Sequence, residues 1–278
     1  MSFIVITEYE KCDRTTFLCL LHNQSRLTHM NSSRDTSDAA TSTSGEDMEP
    51  VLFYGVPQGC SFGSIVALEW LGVPYRLSRI THDTPKDLFA QFNPVRQTPV
   101  LLLENGTALT ESAAILQHLA NRVPERRLGF AQGTPEHDRL NETLAYLNTT
   151  FFSAFAPLWA SFEMEKNPPV QEMLRTMGRE KVAKAHKELE AMMARREWLV
   201  GNTRTIADAY FIGIARWATF HGVADPRAYP RIHAHIQRLE ADPAVIFAHA
   251  IEEERPATSS GGFKGHVALE DLRSRLAA

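Results

Sequence analysis

Cysteine is scarce in this sequence, which has three in 278 residues: Cys12, Cys19 and Cys60. Three cysteines cannot form a disulfide framework, and such scarcity is typical of a reducing compartment. No apolar run approaches the roughly 20 residues that a membrane-spanning helix needs. The formal net charge of −4 argues against a broad basic surface for nucleic acid or anionic lipid. These absences predict a cytoplasmic protein, with neither nucleic acid nor membrane among its partners.

Most common motifs for metals, phosphates and nucleophilic serines are also missing. The eleven histidines are scattered, and no His-Glu-x-x-His pattern or Cys/His cluster occurs. There is no phosphate loop, dinucleotide fingerprint or Gly-x-Ser-x-Gly elbow. We therefore predict no metal site and no bound cofactor. The length of the chain allows a large core and favours two domains.

The first 48 residues differ in composition from the rest. Residues 31–48 are mostly Ser, Thr, Asp, Ala and Gly without an apolar period, which predicts a disordered linker. Residues 1–29 contain two apolar runs, the second of which is shorter than a convincing signal-peptide core. We interpret residues 1–48 as a disordered or wrongly assigned extension. A translation start placed too far upstream of Met48 is the leading explanation, and a cleaved targeting segment is the alternative.

Residues 49–126 have the pattern of a compact α/β unit. Two short apolar strands begin near Pro50 and Tyr75, and an apolar helix that opens at Cys60-Ser61 and stops at Gly72 lies between them. A helical connection predicts that these strands are parallel. A second helix, a strand pair and a last helix follow. The order βαβαββα is that of the thioredoxin-like fold.

The end of this unit, from Gln97 to Ser112, concentrates features that suit a ligand. Pro99 precedes an apolar strand, and Asn105-Gly106 is a strong hairpin signal because both positions of a two-residue turn need positive φ. Thr110-Glu111-Ser112 then opens a helix. A proline, a carboxylate and a helix N-terminus are thus predicted to lie close together, where they can hold a small charged ligand.

Cys60 is the candidate nucleophile of the sequence. A thiol at a helix N-terminus has a pKa below its free value of about 8.5, so we predict a lowered pKa for Cys60. The alternative is a small buried residue without reactivity. Position 63 is Gly, so there is no Cys-x-x-Cys pair and a dithiol oxidoreductase of thioredoxin type is disfavoured. Ser61 either caps the helix or donates a hydrogen bond to a bound thiolate.

The second half of the chain has a helical pattern. Residues 124–136 are a predicted linker, and residues 137–255 carry apolar positions at helical spacing. Pro157 should kink or end the first helix. Thr205 to Asp208 has the pattern of a helix capping box. Residues 256–278 are predicted to be a flexible tail.

Together these motifs resemble the cytosolic glutathione transferases, and look most like the bacterial beta class. The resemblance covers about residues 50–250 and implies a thioredoxin-like domain followed by an all-helical glutathione-transferase domain. The segments that carry it are Leu52-Phe53-Tyr54, Gly59-Cys60-Ser61, Asn93-Pro94, Gln97-Thr98-Pro99, Asn105-Gly106, Thr110-Glu111-Ser112-Ala113-Ala114-Ile115, Thr205-Ile206-Ala207-Asp208-Ala209-Tyr210 and Arg216-Trp217.

The resemblance implies a glutathione site in the first domain. Pro99 would be cis, and the backbone of the loop at Gln97 and Thr98 would pair with the cysteinyl part of glutathione. Glu111 and Ser112 would receive the γ-glutamyl amine and carboxylate, because a carboxylate suits an ammonium and a helix N-terminus suits an anion. The glutathione thiol would be activated near Cys60 and Ser61, the implied catalytic residues.

One departure from the beta class concerns the first helix of the second domain. The class has a histidine there that faces the cysteine, and ungapped comparison places Phe152 at that position. An upstream asparagine of the class falls on Ala145. Both positions therefore lack a polar side chain. We predict instead an apolar electrophile pocket formed by Phe152, Phe155 and Trp217, and the alternative for such a ring is core packing or a dimer contact.

The resemblance thus implies a glutathione transferase that transfers the thiolate of glutathione to a small hydrophobic electrophile. It also implies a homodimer that uses glutathione as co-substrate. Two alternatives remain: a glutathione-dependent disulfide oxidoreductase or peroxidase acting through Cys60, and a non-catalytic glutathione-binding protein. The sequence does not identify the electrophile, because apolar pockets discriminate weakly among apolar ligands.

Overall fold

The computed structural model describes residues 48–55, 57–194 and 196–276. The predictions for the extension before Met48, including those for Cys12 and Cys19, lie outside the described residues. In the described part, an α/β unit is followed by a helical one, so the predicted fold class is confirmed. The domain limits 49–126 and 137–255 stay a prediction.

As far as the last helix, the secondary structure follows the predicted order. The strands are β1 (Val51–Tyr54), β2 (Pro74–Arg79), β3 (Val100–Leu102), β4 (Ala108–Thr110) and β5 (Gly262–His266). The helices are α1 (Phe62–Leu71), α2 (Lys86–Phe89), α3 (Ser112–Arg122), α4 (Pro135–Tyr146), α5 (Ala156–Phe162), α6 (Pro168–Met192), α7 (Ile206–His221), α8 (Pro230–Glu240) and α9 (Pro243–Glu252). None of the described helices is both long enough and apolar enough to cross a membrane.

The five strands form one mixed sheet in the order β4-β3-β1-β2-β5. The β1–β2 pair is parallel, as predicted, and the β1–β3 and β3–β4 pairs are antiparallel. Successive residues of β1 face opposite sides of the sheet. Leu52 and Tyr54 belong to the core around α1, whereas Val51 and Phe53 pack with residues that follow β2, such as Phe89. The sheet thus has helices on both faces.

The turn between β3 and β4 differs from the predicted two-residue type. The amide of Leu103 donates to the carbonyl of Thr107, and the amide of Gly106 donates back to Leu103. Of the pair Asn105-Gly106, only Gly106 has positive φ, at 82°. This is a three-residue loop that needs the left-handed conformation at one position, and Gly106 supplies it.

The two domains meet where α1 crosses α7. Every residue of α1 is buried, and two glycines lie at the crossing. A Cβ on Gly63 would lie 2.5 Å from the carbonyl oxygen of Ala209, and one on Gly213 would lie 3.0 Å from the amide nitrogen of Gly63. Only glycine allows this approach, so the helical domain packs directly on the helix that follows the Cys60 loop.

The predicted local signals of the helical domain are confirmed. A π-helical segment, Leu147–Phe152, extends α4, and Pro157 lies in the first turn of α5, where the first helix was predicted to end or kink. The capping box of α7 is present: Asp208 Oδ2 accepts from the amide of Thr205 at 2.7 Å. The buried carboxylate of Asp208 also lies 2.9 Å from Nε2 of His235, so α8 packs closely on the start of α7.

The structure differs from the prediction of a flexible tail after residue 255. The buried carboxylate of Glu69 accepts hydrogen bonds from the backbone amides of Ser260 and Gly261, each at 2.9 Å, and from the hydroxyl of Tyr75 at 2.5 Å. Strand β5 follows and pairs in parallel with β2, and Leu272 beyond it is buried in the core. An unpaired buried carboxylate is costly, so these donors favour a docked segment.

Candidate functional site

The loop between β1 and α1 carries the predicted catalytic residues. Helix α1 begins at Phe62, and Ser61 is its N-cap without a side-chain capping bond. Cys60 therefore precedes the helix rather than opening it, and its side chain is only partly exposed. The predicted exposure of this thiol to helix N–H groups is thus weaker than the sequence indicated.

The prediction of a lowered pKa for Cys60 is wrong. Burial raises the pKa of the Cys60 thiol to about 11, and the carboxylates of Glu252 and Glu111 add to the increase. The guanidinium of Arg216 opposes it but does not overcome the cost of burying a thiolate. At neutral pH, Cys60 is therefore an S–H group, which donates a weak hydrogen bond and is a poor nucleophile.

We expect alkylation of Cys60 by iodoacetamide to be slow at neutral pH and to accelerate with pH until about 11. Relative to an ordinary thiol of pKa 9.0, the thiolate fraction at pH 7.4 should be roughly a hundredfold lower. Intact mass spectrometry measures the rate, and Cys60→Ser provides the background from Cys12 and Cys19. A rate that reaches its plateau below pH 8 would contradict this assignment.

The hydroxyl of Ser61 has no hydrogen-bond partner among the described residues. The side chain is 1% exposed and its Oγ is buried. A buried hydroxyl without a partner is uncommon because the unmade hydrogen bond costs free energy. Of the two roles that the sequence left open, helix capping is therefore excluded, and the hydroxyl remains available as a donor beside Cys60.

The loop before β3 lies next to the Cys60 loop. The Thr98–Pro99 peptide bond is cis, as the family resemblance implied. The side-chain amide of Asn93 donates to the carbonyl of Gln97 at 2.9 Å, and this hydrogen bond fixes the loop. A Cβ on Gly55 would lie 2.7 Å from Oγ1 of Thr98, so the two loops pass in close contact.

The start of α3 completes the group of predicted binding residues. Glu111 is exposed and precedes the helix with φ of 69°, a conformation that turns the chain sharply into α3. The hydroxyl of Ser112 donates to the carbonyl of Cys60 at 3.4 Å. The structure thus brings Glu111 and Ser112 to the Cys60 loop, although 52 positions separate Ser112 from Cys60 in sequence.

A buried ion pair from the helical domain holds the Cys60 loop. Arg216 on α7 pairs with Glu252 on α9 through two contacts of 2.6 and 3.0 Å. The same guanidinium donates to the carbonyl of Gly59 at 2.9 Å, and the amide of Gln58 donates to Glu252 at 3.2 Å. The indole N–H of Trp217 donates to the carbonyl of Gln58 at 3.0 Å. Three side chains of the second domain therefore fix the backbone before Cys60.

The helical domain also contributes a polar pair that the sequence did not reveal. The hydroxyl of Tyr210 donates to Oδ1 of Asn148 at 2.7 Å. Burial raises the pKa of Tyr210, and the negative charges of Glu111 and of Cys60 in its ionised form raise it further, so Tyr210 lies near both groups. The helical domain therefore still has polar side chains in this region, although Phe152 and Ala145 provide none. The sequence did not indicate this pair, because Tyr210 follows the capping box and has the pattern of a core residue.

The predicted electrophile pocket is only partly supported by burial. Phe155 has no exposed surface and Trp217 is 3% exposed, so both are core residues in the structure. Phe152 is half-buried and packs on Trp217 with 5.3 Å between ring centroids. The indole N–H of Trp217 already donates to the carbonyl of Gln58, and the ring of Phe155 packs edge-on against that of Trp217. Phe152 alone remains a candidate to contact an electrophile.

Two family models match most of the folded chain. The model of the glutathione S-transferase N-terminal domain matches residues 60–122, and that of the C-terminal domain matches residues 150–243. Together they include Cys60, the start of α3 and the crossing of α1 with α7.

Individual relatives agree with this match. The chain is 30% identical over 193 residues to glutathione S-transferase GST-4.5 of Xanthomonas campestris pv. campestris, which covers 69% of this chain and 94% of the relative. It is 31% identical over 206 residues to glutathione S-transferase GstA of Escherichia coli O157:H7, with 72% and 98% covered.

Solved structures show the same similarity. A sphingomonad glutathione S-transferase complexed with glutathione has a TM-score of 0.64 at 27% identity, and covers 73% of this chain and 98% of its own. A beta-class glutathione S-transferase of Sphingomonas chungbukensis has a TM-score of 0.63 at 27% identity, with the same coverage.

Proposed function

Because the chain belongs to the glutathione S-transferase family, we propose that it is a glutathione transferase with its glutathione site between the Thr98 loop, the start of α3 and the Cys60 loop. The observation that carries this proposal is the hydrogen bond from Ser112 to the Cys60 carbonyl. It joins the helix start that suits a carboxylate to the loop that carries the thiol. The beta-class structures support the same arrangement by similarity.

The binding groups match the ends of glutathione in charge. The exposed carboxylate of Glu111 pairs with the γ-glutamyl ammonium, and the N-terminus of α3 with the hydroxyl of Ser112 receives the adjacent carboxylate. The backbone at Gln97 and Thr98, before the cis bond to Pro99, pairs with the cysteinyl residue as an added strand would. These groups bind and orient glutathione.

The chemical step depends on stabilising the thiolate of glutathione. The protonated thiol of Cys60, which is partly exposed, donates a hydrogen bond to the glutathione sulfur. The unpartnered hydroxyl of Ser61 is buried in the structure, and it becomes the second donor when glutathione binding opens the loop around it. Hydrogen bonds to the charged form lower the pKa of that thiol, and one unit corresponds to about 1.4 kcal/mol. The thiolate then attacks a small hydrophobic electrophile near Phe152. Glutathione is the co-substrate, and the mechanism needs no other cofactor.

The raised pKa of Cys60 favours conjugation over chemistry at Cys60 itself. Disulfide exchange or peroxide reduction requires a thiolate on the protein, which a pKa of about 11 disfavours at neutral pH. By the same family similarity, we propose that the protein acts in the cytoplasm as a homodimer.

The binding half of the proposal is tested by Glu111→Gln and Ser112→Ala. Each should weaken glutathione binding about tenfold or more in isothermal titration calorimetry, because each loses a charge-assisted hydrogen bond. Ser61→Ala should instead lower kcat for conjugation of 1-chloro-2,4-dinitrobenzene and leave the KM for glutathione nearly unchanged.

The matched controls are Glu125→Gln and Ser274→Ala, which change exposed residues outside the proposed site. Neither should alter affinity or rate. Unchanged glutathione affinity in both Glu111→Gln and Ser112→Ala would refute the binding site. Glutathione binding without any conjugation would refute the activity.

A further inference from the structure

A cavity that is open to solvent lies at the carboxyl ends of β1 and β2, apart from the residues assigned to glutathione. It has a volume of about 510 Å³. Its walls come from the ends of β1 and β2, the end of α9 and the segment that follows β5. The lining residues are Tyr54, Arg79, Ile251, Glu254, Arg255, His266, Val267 and Ala268. The carboxyl ends of parallel strands are where α/β sheets usually bind ligands.

We propose that this cavity binds a small organic anion, namely a carboxylate on a short apolar body. The guanidinium of Arg79 is the anchor for the carboxylate. It already pairs with the carboxylate of Glu254, and its Nε is buried without a hydrogen-bond partner in the described ranges. The Nε donor of Arg79 is therefore unused, and Nη1 holds a carboxylate of the protein itself.

Glu254 can yield this position to a ligand. Its side chain is 65% exposed, whereas that of Arg79 is 27% exposed. An ion pair with one well-exposed partner contributes little free energy, so displacing Glu254 costs little free energy. A ligand carboxylate that replaces Glu254 can form a bidentate pair with Arg79 and accept a hydrogen bond from the free Nε.

The rest of the cavity suits an uncharged body. Ile251, Val267 and Ala268 line it with apolar surface. Tyr54 and His266 are joined by a hydrogen bond of 3.1 Å, and burial lowers the pKa of His266, so its ring is neutral at pH 7. Arg255 adds a second cation at the rim, although it also contacts Glu253. The lining of the site thus combines two cations with apolar surface.

This site depends on the C-terminal segment, because His266, Val267 and Ala268 belong to it. That segment is held by the contacts of Glu69 and by the pairing of β5 with β2. The matched family models end at residue 243, before this segment begins. Of the lining residues, Arg79 lies within the matched N-terminal model, and the other seven lie outside both matched ranges.

The proposal is tested by titrating benzoate into the full-length protein saturated with glutathione, with heat or NMR shifts as the readout. Glutathione occupies its own proposed site, and a separate glutathione titration reports whether that site exists. We expect saturable benzoate binding, no binding of the neutral isostere benzamide, and about tenfold or greater weakening in Arg79→Gln. Arg139→Gln, which changes an exposed arginine of α4, should leave affinity unchanged.

Glu254→Gln provides a gain that a folding defect cannot mimic. Removal of the competing carboxylate should tighten benzoate binding several-fold. The proposal is overturned if benzoate does not bind, if benzamide binds equally well, or if Arg79→Gln and Glu254→Gln both leave its affinity unchanged. Binding of inorganic phosphate but not benzoate would also overturn it, because the apolar part of the site would then have no role.

Discussion

Replacing Glu252 with alanine is expected to destabilise the protein by about 3–5 kcal/mol, because the change leaves the guanidinium of Arg216 buried and unpaired. Arg216 is 7% exposed and Glu252 is 4% exposed, so water cannot replace the lost partner. The amide of Gln58 also loses its acceptor. Urea unfolding followed by circular dichroism measures the change in the free energy of unfolding.

The double variant with methionine at Arg216 and Glu252 separates the fold from the site. Replacing both charges of a buried pair with apolar residues is often close to neutral for stability. It nevertheless removes the donor to Gly59 and the acceptor for Gln58, so conjugation should still fall at least about tenfold. The control is Glu142→Ala, which breaks an exposed pair with Arg139 and should cost less than about 1 kcal/mol.

Two outcomes would contradict this account of the ion pair. One is a loss of less than about 1 kcal/mol in the free energy of unfolding of Glu252→Ala, since a buried charge without its partner should destabilise the protein by more than that. The other is wild-type activity in the double methionine variant, which would show that the pair does not position the Cys60 loop.

The second large effect is expected at the helix crossing, where Gly63→Ala should cost about 1–3 kcal/mol or more. The added Cβ would lie 2.5 Å from the carbonyl oxygen of Ala209, and a backbone atom in a packed helix cannot move aside alone. The separation of α1 from α7 should also move Tyr210 and Arg216 away from the Cys60 loop, so activity falls with stability. Thermal unfolding and conjugation rates measure both effects.

Ser64→Ala is the matched control for Gly63→Ala. It changes a buried neighbour on the same helix without adding an atom, and its hydroxyl has no partner among the described residues. Its cost should stay below about 1 kcal/mol. Equal stability of Gly63→Ala and the wild type would mean that the crossing is looser than described. The crossing also explains why position 63 carries no second cysteine, since a thiol has no room there.

Local signals predicted much of this fold because each depends on a few neighbouring residues. The capping box at Thr205 and Asp208 is satisfied within one helical turn, and the parallel pairing of β1 with β2 follows from the βαβ connection. The turn at Gly106 shows the limit of such signals. The glycine was identified, but the length of the loop depends on how β3 and β4 pair.

Features that depend on distant contacts were not predictable from the sequence. The pKa of Cys60 is set by burial and by Arg216 and Glu252, which lie far along the chain. The C-terminal segment is ordered by Glu69, whose pattern was simply that of a charge in an otherwise apolar helix. Phe155 shared its aromatic pattern with Phe152, and only packing shows which ring reaches the surface. In each case the decisive partner belongs to another element.

The central claim is that glutathione binds against Glu111 and Ser112 with its sulfur held by hydrogen bonds from Cys60 and Ser61. A crystal structure of the protein soaked with glutathione tests this most directly. We predict the γ-glutamyl group at the start of α3 and the glutathione sulfur within hydrogen-bond reach of Ser61 and Cys60, without a bond between the two sulfur atoms. A disulfide between glutathione and Cys60, or glutathione bound away from α3, would contradict the account.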